Sequence, residues 1–298
     1  MPEIITDDGV RLNCVVEDYR EPWLGEPATT VLLYHGFMKS MEHWTPFVPA
    51  IARRYRVVRF DVRGAGKSGI PRAGSAWTAD RLVKDALNVV DALKIKKVHW
   101  AGFESAGILG LMFAADHPER TASVACFNTP YRSPASEETM RGLFACGYPT
   151  FEAAIDALGV EGWMIKLCEE GVMIDRGDPA IADWVTRRAA GISAEIAKEW
   201  HGIFRKTSGL LTEVPGRVTA PVLLVAGAQH VHGCEPPLLD QLRRKIRNAR
   251  EVIYIPDVAI GVQLLAPDAC ADAYLNFLGS LDGAPGRKGI ARAGVKAE

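Results

Sequence analysis

Residues 97–107 read KVHWAGFESAG and join a short apolar run to a turn bounded by small residues. The run at 97–101 carries valine, tryptophan and alanine, which is typical of a buried strand. Residues 105–116 continue as an apolar segment of helical length that contains no proline. Gly102 and Ala106 lie on either side of the turn, where small residues let the backbone reverse sharply. The stretch therefore predicts a strand, a tight turn and a helix in immediate succession.

The same alternation of short strands and amphipathic helices runs along most of the chain. The further predicted strands are residues 30–34, 56–60, 122–127, 222–226 and 251–255. Residues 3–6 and 10–17 are predicted to form an antiparallel pair joined by an Asp-Asp-Gly turn. The further predicted helices are residues 44–53, 78–93, 238–246 and 267–281. This order predicts an α/β fold, in which helices cover both faces of a mostly parallel sheet.

Strand-like runs are missing between about residue 131 and residue 217, where the chain becomes helical and rich in tryptophan and methionine. A helical insertion between two strands of one sheet predicts a cap over the ends of those strands. We therefore expect a core formed by residues 1–130 and 218–281 and a helical cap at 131–217. Residues 282–298 are rich in glycine and alanine and are predicted to be a disordered tail.

Composition excludes several classes of function. The 298 residues carry 35 basic and 36 acidic side chains, and the basic ones form no stripe, so a nucleic-acid partner is not expected. No apolar run reaches the length of about 20 residues that a membrane helix needs. The first residues lack the pattern of a signal peptide, so we expect a cytoplasmic protein without a membrane partner. The six cysteines are widely spaced and are expected to be reduced and not to bind a metal.

Residues 64–69, GAGKSG, match a phosphate-binding pattern that the context does not support. A P-loop requires glycine where this chain has Asp61, and a dinucleotide site requires a helix that opens within the loop. Pro71 and the segment after it instead predict an irregular chain. No nucleotide, and no other cofactor, is therefore expected.

Three segments together resemble the α/β-hydrolase superfamily. Residues 61–68, DVRGAGKS, are similar to its D-x-R-G-x-G-x-S loop, and residues 34–37, YHGF, resemble its His-Gly oxyanion loop. Residues 116–120, DHPER, resemble the stretch that follows its nucleophile helix. The resemblance covers residues 8–130 and 218–281 and points to the capped branch that includes epoxide hydrolases, C–C hydrolases and esterases. It implies a mostly parallel eight-stranded sheet with a helical cap.

In that family, the nucleophile occupies the centre of a small-x-nucleophile-x-small turn. Gly102 and Ala106 place Glu104 at this position. The alternative register makes Ser105 the nucleophile, but it puts the bulky Phe103 where the turn needs a small residue. We favour Glu104 as the residue at the turn.

The other two members of the family's Ser-His-Asp triad are also replaced. Seven histidines occur in the chain, and none lies beyond His232, although the family histidine follows the last strand. The resemblance puts Ile260 at the histidine position and His230 at the position of the usual aspartate. His230 would either form a couple with Glu104 or lie on the surface, with His232 pointing the other way.

The resemblance also implies an oxyanion hole, formed by the backbone N–H groups of Phe37 and Ser105 and organised by the ring of His35. Trp44 and Asn128 are further candidates for contact with the substrate. The N-terminus of the helix that begins at Ser105 favours the carboxylate anion of Glu104, whereas an apolar cap favours the neutral acid.

These features predict a cofactor-free enzyme, a monomer or homodimer, that acts on a small and largely apolar carbonyl compound. An ester, a lactone or a cleavable ketone fits, with Glu104 as general base or as nucleophile. The loss of the histidine also allows lyase, isomerase or decarboxylase chemistry. Two alternatives remain: a catalytically inactive relative that binds a small ligand, and a serine hydrolase that uses Ser105.

Overall fold

The computed structural model describes residues 2–24, 29–131, 134–173, 179–210, 212–229 and 233–282. Eight strands in this part of the chain form one sheet in the order β1-β2-β4-β3-β5-β6-β7-β8. The strands are β1 (Glu3–Ile5), β2 (Arg11–Glu17), β3 (Thr30–Tyr34), β4 (Arg56–Phe60), β5 (Val98–Phe103), β6 (Thr121–Phe127), β7 (Val222–Gly227) and β8 (Ile253–Ile255). β2 pairs antiparallel with both β1 and β4, and the strands from β4 to β8 are parallel. The predicted mostly parallel eight-stranded sheet is confirmed.

Eleven α-helices lie in the described residues. They are α1 (Val48–Ala52), α2 (Ala79–Ala92), α3 (Ser105–Asp116), α4 (Pro134–Ala145), α5 (Phe151–Glu169), α6 (Pro179–Ala189), α7 (Ala194–Leu210), α8 (Val214–Arg217), α9 (Pro236–Lys245), α10 (Val262–Leu265) and α11 (Pro267–Asp282). The helix predicted at 44–53 is wrong in its first half. A 3₁₀ turn at Met41–Trp44 is followed by the short α1, in which Pro49 occupies the first turn, where no N–H is needed.

Successive side chains of each central strand enter different hydrophobic clusters, because side chains alternate between the faces of a sheet. Leu32 and Trp100 belong to a cluster that includes side chains of α2 and α3, whereas Leu33 and Phe103 belong to a second cluster with side chains of α1 and α11. Both faces are therefore covered, as the run of buried residues along β3 and β5 requires.

The chain changes its direction of travel across the sheet at β3. The next strand, β4, pairs with one side of β3, and the following strand, β5, pairs with the other side. The loops that leave the carboxyl ends of β3, β5, β6 and β8 consequently lie at one edge of the sheet. In an open parallel sheet, ligands bind at such a switch point.

The helices from α4 to α7 occupy the segment predicted as a cap, between β6 and β7. α5 packs against α4, α6 and α7, and α7 also contacts α3 of the core. α8 packs against α3 and α9. The division into core and cap stays a prediction, and the tail at 283–298 lies outside the described residues.

The carboxylate of Asp61 is held by backbone N–H groups of its own loop and of a neighbouring turn. The Asp61 carboxylate accepts hydrogen bonds from the backbone N–H of Met41 at 2.8 Å and of Lys67 at 2.9 Å. At Gly66, where φ is +53°, an added Cβ would lie 2.3 Å from the Asp61 carboxyl group. The Asp61 carboxylate therefore explains why residue 66 must be glycine.

Candidate active site

The turn after β5 has its strained residue at Glu104. Its backbone has φ 52° and ψ −123°, whereas Ser105 is already the first residue of α3. Its N–H donates to the Phe127 carbonyl at 2.9 Å, which ties the turn to β6. An added Cβ at Gly102 would lie 2.3 Å from the Ala106 carbonyl oxygen, so the turn cannot close over a larger residue. Positive φ is rare outside glycine and is retained where the surroundings enforce it.

The Glu104 side chain reaches a cavity of about 40 Å³ at the edge of the sheet. Glu104 itself is only 7% exposed. Apart from Glu104 and Asn128, the lining is apolar: Phe37, Pro130, Met140, Phe144, Val172, Met173, Phe204 and Ile260. A carboxylate is therefore held among apolar side chains contributed by both the core and the inserted helices.

Lys39 is the charged neighbour of Glu104. Its Nζ lies 3.4 Å from Glu104 Oε1, and the lysine side chain is 2% exposed. The ammonium group also lies 5.5 Å from the centre of the Phe103 ring. Together with the N-terminus of α3, this cation stabilises the carboxylate anion. Sequence reasoning missed Lys39, although a lysine two residues after the oxyanion loop and between two methionines was a usable signal.

Gly36 leaves the space in which this carboxylate lies. An added Cβ at Gly36 would lie 2.6 Å from Glu104 Oε2 and 2.8 Å from the Phe103 carbonyl oxygen. Only glycine therefore permits the loop after β3 to approach the turn after β5 so closely.

His35 is a structural histidine in this arrangement. Its Nε2 accepts a hydrogen bond from the Val62 N–H at 2.9 Å, and its Nδ1 donates to the Gly36 carbonyl at 3.0 Å. Burial lowers the pKa of His35, although the nearby Asp61 opposes that shift. The ring joins the oxyanion loop to the loop after β4, which fits the organising role expected of it.

Phe37 and Ser105 both line a second cavity, of about 30 Å³, together with His35 and Gly36. The Phe37 ring enters an aromatic cluster of the inserted helices, with ring centres 5.7 Å from Phe204 and 6.2 Å from Trp200. The two residues predicted to supply oxyanion N–H groups thus line one small cavity, and their convergence on a substrate oxygen stays a prediction.

Asn128 and Ile260 both face the Glu104 cavity. The Asn128 side chain donates to the Ala259 carbonyl at 3.3 Å and accepts from the Val262 N–H at 3.4 Å. Its amide therefore fixes the loop that carries Ile260, rather than only being available to a substrate. Ile260 lines the same cavity as Glu104, and its assignment to the histidine position of the family stays a prediction.

The expectation that Trp44 contacts the substrate is corrected by its position. The residue is fully buried, and its ring packs against Phe47 and Phe127 with centres 5.3 Å and 5.5 Å apart. It belongs to the cluster that includes α1 and α11 and does not line either cavity beside Glu104. A large apolar ring gains more free energy in this core than at the site.

His230 and His232 lie outside the described residues, so the predicted couple with Glu104 stays a prediction. Just before them, the Gln229 N–H donates to the Val258 carbonyl at 3.0 Å, which joins this loop to the one that carries Ile260. Within the described ranges, no group of three His, Cys, Asp or Glu side chains is placed to hold a metal ion. The helices described also include none long and apolar enough to cross a membrane.

A family model of the alpha/beta hydrolase fold matches residues 29–230, more than half of the chain. The chain belongs to the alpha/beta hydrolase fold family. The resemblance inferred from residues 34–37, 61–68 and 116–120 is thereby confirmed at the level of the family.

Relatives of this alpha/beta hydrolase include proteins named as hydrolases. Over 98 residues it is 36% identical to a Caulobacter vibrioides protein named "Putative carbamate hydrolase RutD", which covers 33% of this chain and 36% of that protein. Over 137 residues it is 29% identical to epoxide hydrolase 4 of Mus musculus, which covers 46% of this chain and 36% of the relative. The chain thus spans just over a third of the length of these curated relatives.

Among solved structures, the enol-lactonase from Burkholderia xenovorans LB400 superposes with a TM-score of 0.75 at 22% identity. The superposition covers 93% of this chain and 99% of that one. At this identity the likeness shows a shared fold.

Proposed function

We propose that this chain is an enzyme that acts on a small, largely apolar carbonyl compound, with Glu104 as its general base. The observation that carries the proposal is a buried carboxylate at the turn after β5, beside a cavity lined mostly by apolar side chains. Relatives named for carbamate and epoxide hydrolysis, and the likeness to an enol-lactonase, support a hydrolytic reaction on an ester or lactone.

In the proposed reaction, Glu104 takes a proton from water as the water oxygen attacks the carbonyl carbon. The carbonyl electron pair moves to oxygen, and the N–H groups of Phe37 and Ser105 stabilise the resulting oxyanion. When the intermediate collapses, the leaving alkoxide takes the proton back from Glu104. The products are a carboxylic acid and an alcohol, and the carboxylate is restored.

General-base chemistry fits the site better than direct attack by Glu104. Attack would leave a covalent ester, which a second base must help water to hydrolyse. Ile260 lines the same cavity as Glu104, and its side chain cannot move a proton, which supports the general-base role over direct attack. The same base would remove a proton from carbon if the substrate were a cleavable ketone.

Lys39 supports this role without contacting the substrate. It does not line the Glu104 cavity, and its ammonium group lies 3.4 Å from Oε1. The pair keeps the carboxylate in the charged form that a base requires. We treat Lys39 as a positioning residue, and the helices α4–α7 as the cap that excludes water from the site.

The decisive experiment compares the wild-type chain with Glu104→Gln on 4-nitrophenyl esters and aryl lactones. We expect kcat to fall by about 100-fold or more, because a positioned base contributes roughly 10²–10⁴ in rate. Ligand affinity should stay close to the wild type, because glutamine has nearly the same shape. Thermal stability should fall, because the buried Lys39 loses its anionic partner, so turnover is compared at a temperature where both chains are folded. Unchanged turnover in Glu104→Gln would refute the role of the carboxylate.

Ser105→Ala is the matched control for this experiment, since Ser105 is adjacent and is proposed to act through its backbone N–H alone. A fluorophosphonate probe should label neither the wild type nor Glu104→Gln. Labelling that disappears in Ser105→Ala, with parallel loss of turnover, would instead make Ser105 the nucleophile. Among the described residues, the histidine that shares its cavity is His35, and the backbone engages both ring nitrogens.

A ligand-binding protein without catalytic activity is the second candidate. Two observations favour it: the Glu104 charge is paired with Lys39, and an isoleucine faces the carboxylate. Native mass spectrometry that recovers a small molecule unchanged, with no turnover on the ester and lactone panel, would support this candidate over the enzyme.

A further inference from the structure

A larger cavity than the two already described lies beside the proposed active site, between α4 and α7. Its volume is about 370 Å³. Its lining residues are Met140, Arg141, Phe144, His201, Gly202, Phe204, Arg205 and Lys206. We call this cavity the outer cleft. Its volume lies at the lower end of the range of small-molecule sites, about 300–1,000 Å³.

The outer cleft shares a wall with the Glu104 cavity. Met140, Phe144 and Phe204 line both spaces. The rings of Phe144 and Phe204 are stacked with their centres 6.1 Å apart. A molecule that enters through the outer cleft therefore meets apolar side chains before it meets the carboxylate.

Positive charge distinguishes the outer cleft from the inner cavity. Arg141, Arg205 and Lys206 are all exposed and all line it. Arg141 pairs with Glu138 at 3.2 Å, and His201 of the cleft contacts Glu152 at 3.2 Å. Arg205 and Lys206 form no ion pair within the described part of the chain. Among the described residues that line the cleft, three are cations and none is acidic.

We propose that the outer cleft binds a carboxylate at the far end of the substrate, while the reacting carbonyl enters the Glu104 cavity. The inference rests on the proposed function and refines its substrate class to a short ester or lactone that carries a carboxylate. The small inner cavity, of about 40 Å³, accommodates the carbonyl end only. The shared wall of Met140, Phe144 and Phe204 packs the apolar chain between the two ends.

Guanidinium groups suit this role, because their paired N–H groups bind a carboxylate through two parallel hydrogen bonds. Arg141 and Arg205 come from two different helices and line the same cleft. The negative Glu104 would repel an anionic end, which orients the substrate with its carboxylate outward.

The kinetic test uses two substrates that differ only in charge: 4-nitrophenyl hydrogen glutarate and its methyl ester, 4-nitrophenyl methyl glutarate. In the wild type, we expect kcat/KM to be higher for the anionic compound. In Arg141→Gln/Arg205→Gln, the ratio of anionic to methylated kcat/KM should fall by about tenfold. The control Arg243→Gln/Arg244→Gln on α9 removes the same charge elsewhere and should leave the ratio unchanged. An equal fall in both double variants, or no fall in either, would overturn the proposal.

A binding measurement separates this proposal from the proposed function. Isothermal titration of Glu104→Gln with monomethyl glutarate and with dimethyl glutarate should show tighter binding of the anion. That preference should be lost in Glu104→Gln/Arg141→Gln/Arg205→Gln. Preference for the anion in a chain that turns over neither ester would keep the cleft assignment and reject the reaction. Equal binding of the two compounds would reject the cleft even if hydrolysis is found.

Discussion

Lys39 and Glu104 form a buried ion pair at the edge of the sheet. Their side chains are 2% and 10% exposed, respectively. Taking two charges out of water costs several kcal/mol per ion, and mutual attraction recovers this cost only when both partners are present. The buried His43 lies near the same ammonium group, and its pKa lies well below the usual range because of burial and of Lys39. A neutral His43 does not compete for the carboxylate, whereas the Lys39 ammonium group forms an ion pair with Glu104.

Replacing Lys39 with Met should therefore weaken the base without removing it. Without the neighbouring positive charge, the carboxylate anion is less stabilised, and the acid limb of the kcat/KM profile should move to higher pH. Turnover well above that limb should change much less than in Glu104→Gln. The measurement is a pH–rate profile on a 4-nitrophenyl ester. Lys67→Met, in an exposed position, is the control, and identical profiles for the two variants would contradict the role given to Lys39.

A buried ionic network holds the 61–69 segment against its neighbouring elements. The Arg63 Nε donates to Asp85 Oδ2 of α2 at 2.6 Å, and both side chains are fully buried. The same guanidinium group contacts Asp8, in the turn between β1 and β2, at 2.8 Å. One arginine therefore joins the loop after β4, the helix α2 and the N-terminal hairpin. This connection, rather than ligand binding, accounts for the arginine of the D-x-R-G motif.

Arg63→Met should lower the free energy of unfolding by about 3 kcal/mol, because the buried Asp85 carboxylate loses its partner at 2.6 Å and keeps Arg81, at 3.0 Å, as its remaining described partner. Arg63→Met/Asp85→Leu should recover a large part of that loss, since no buried charge then remains. Urea unfolding measures both variants. Asp91→Asn removes an exposed partner of Arg120 and should cost less than about 1 kcal/mol. A double variant no more stable than Arg63→Met would contradict this explanation.

The free energy of unfolding of the chain should decrease as the pH drops below about 6.5. Burial lowers the pKa of His43 well below its usual value in the folded state, whereas the unfolded chain takes up a proton near pH 6.5. The unfolded state thus binds more protons in this range, and the free energy of unfolding decreases with falling pH. His35 acts in the same direction, because burial also lowers its pKa.

Urea unfolding at pH 7.5 and pH 5.0 tests this linkage. We expect His43 to account for a loss of about 2 kcal/mol between the two values. The pKa of Asp7, lowered to about 2 by Arg81 and Lys84, affects stability only below pH 3.8, so it does not interfere. His43→Gln should reduce the difference between the two pH values by a similar amount. His117→Gln is the control, and equal differences in both variants would contradict the assignment to His43.

Much of the fold followed from local patterns. The strands at 30–34 and 56–60 and the helix at 105–116 coincide with β3, β4 and α3, because apolar periodicity and turn residues act over short distances. The helix predicted at 44–53 was wrong in its first half. Two prolines interrupt an apolar stretch that hydrophobic periodicity treats as one continuous helix. The position of Glu104 at the turn followed from its small neighbours, Gly102 and Ala106.

The α/β architecture and the carboxylate at the turn after β5 followed from the sequence, whereas the isoleucine at the histidine position of the family stays a prediction. Each of these depends on residue type and spacing along one segment. Tertiary structure alone decided that Lys39 faces Glu104, that Trp44 belongs to the core and that two arginines of different helices line one cleft. These contacts join segments far apart in the chain or depend on how a loop turns, and the pairing of strands and helices places them together.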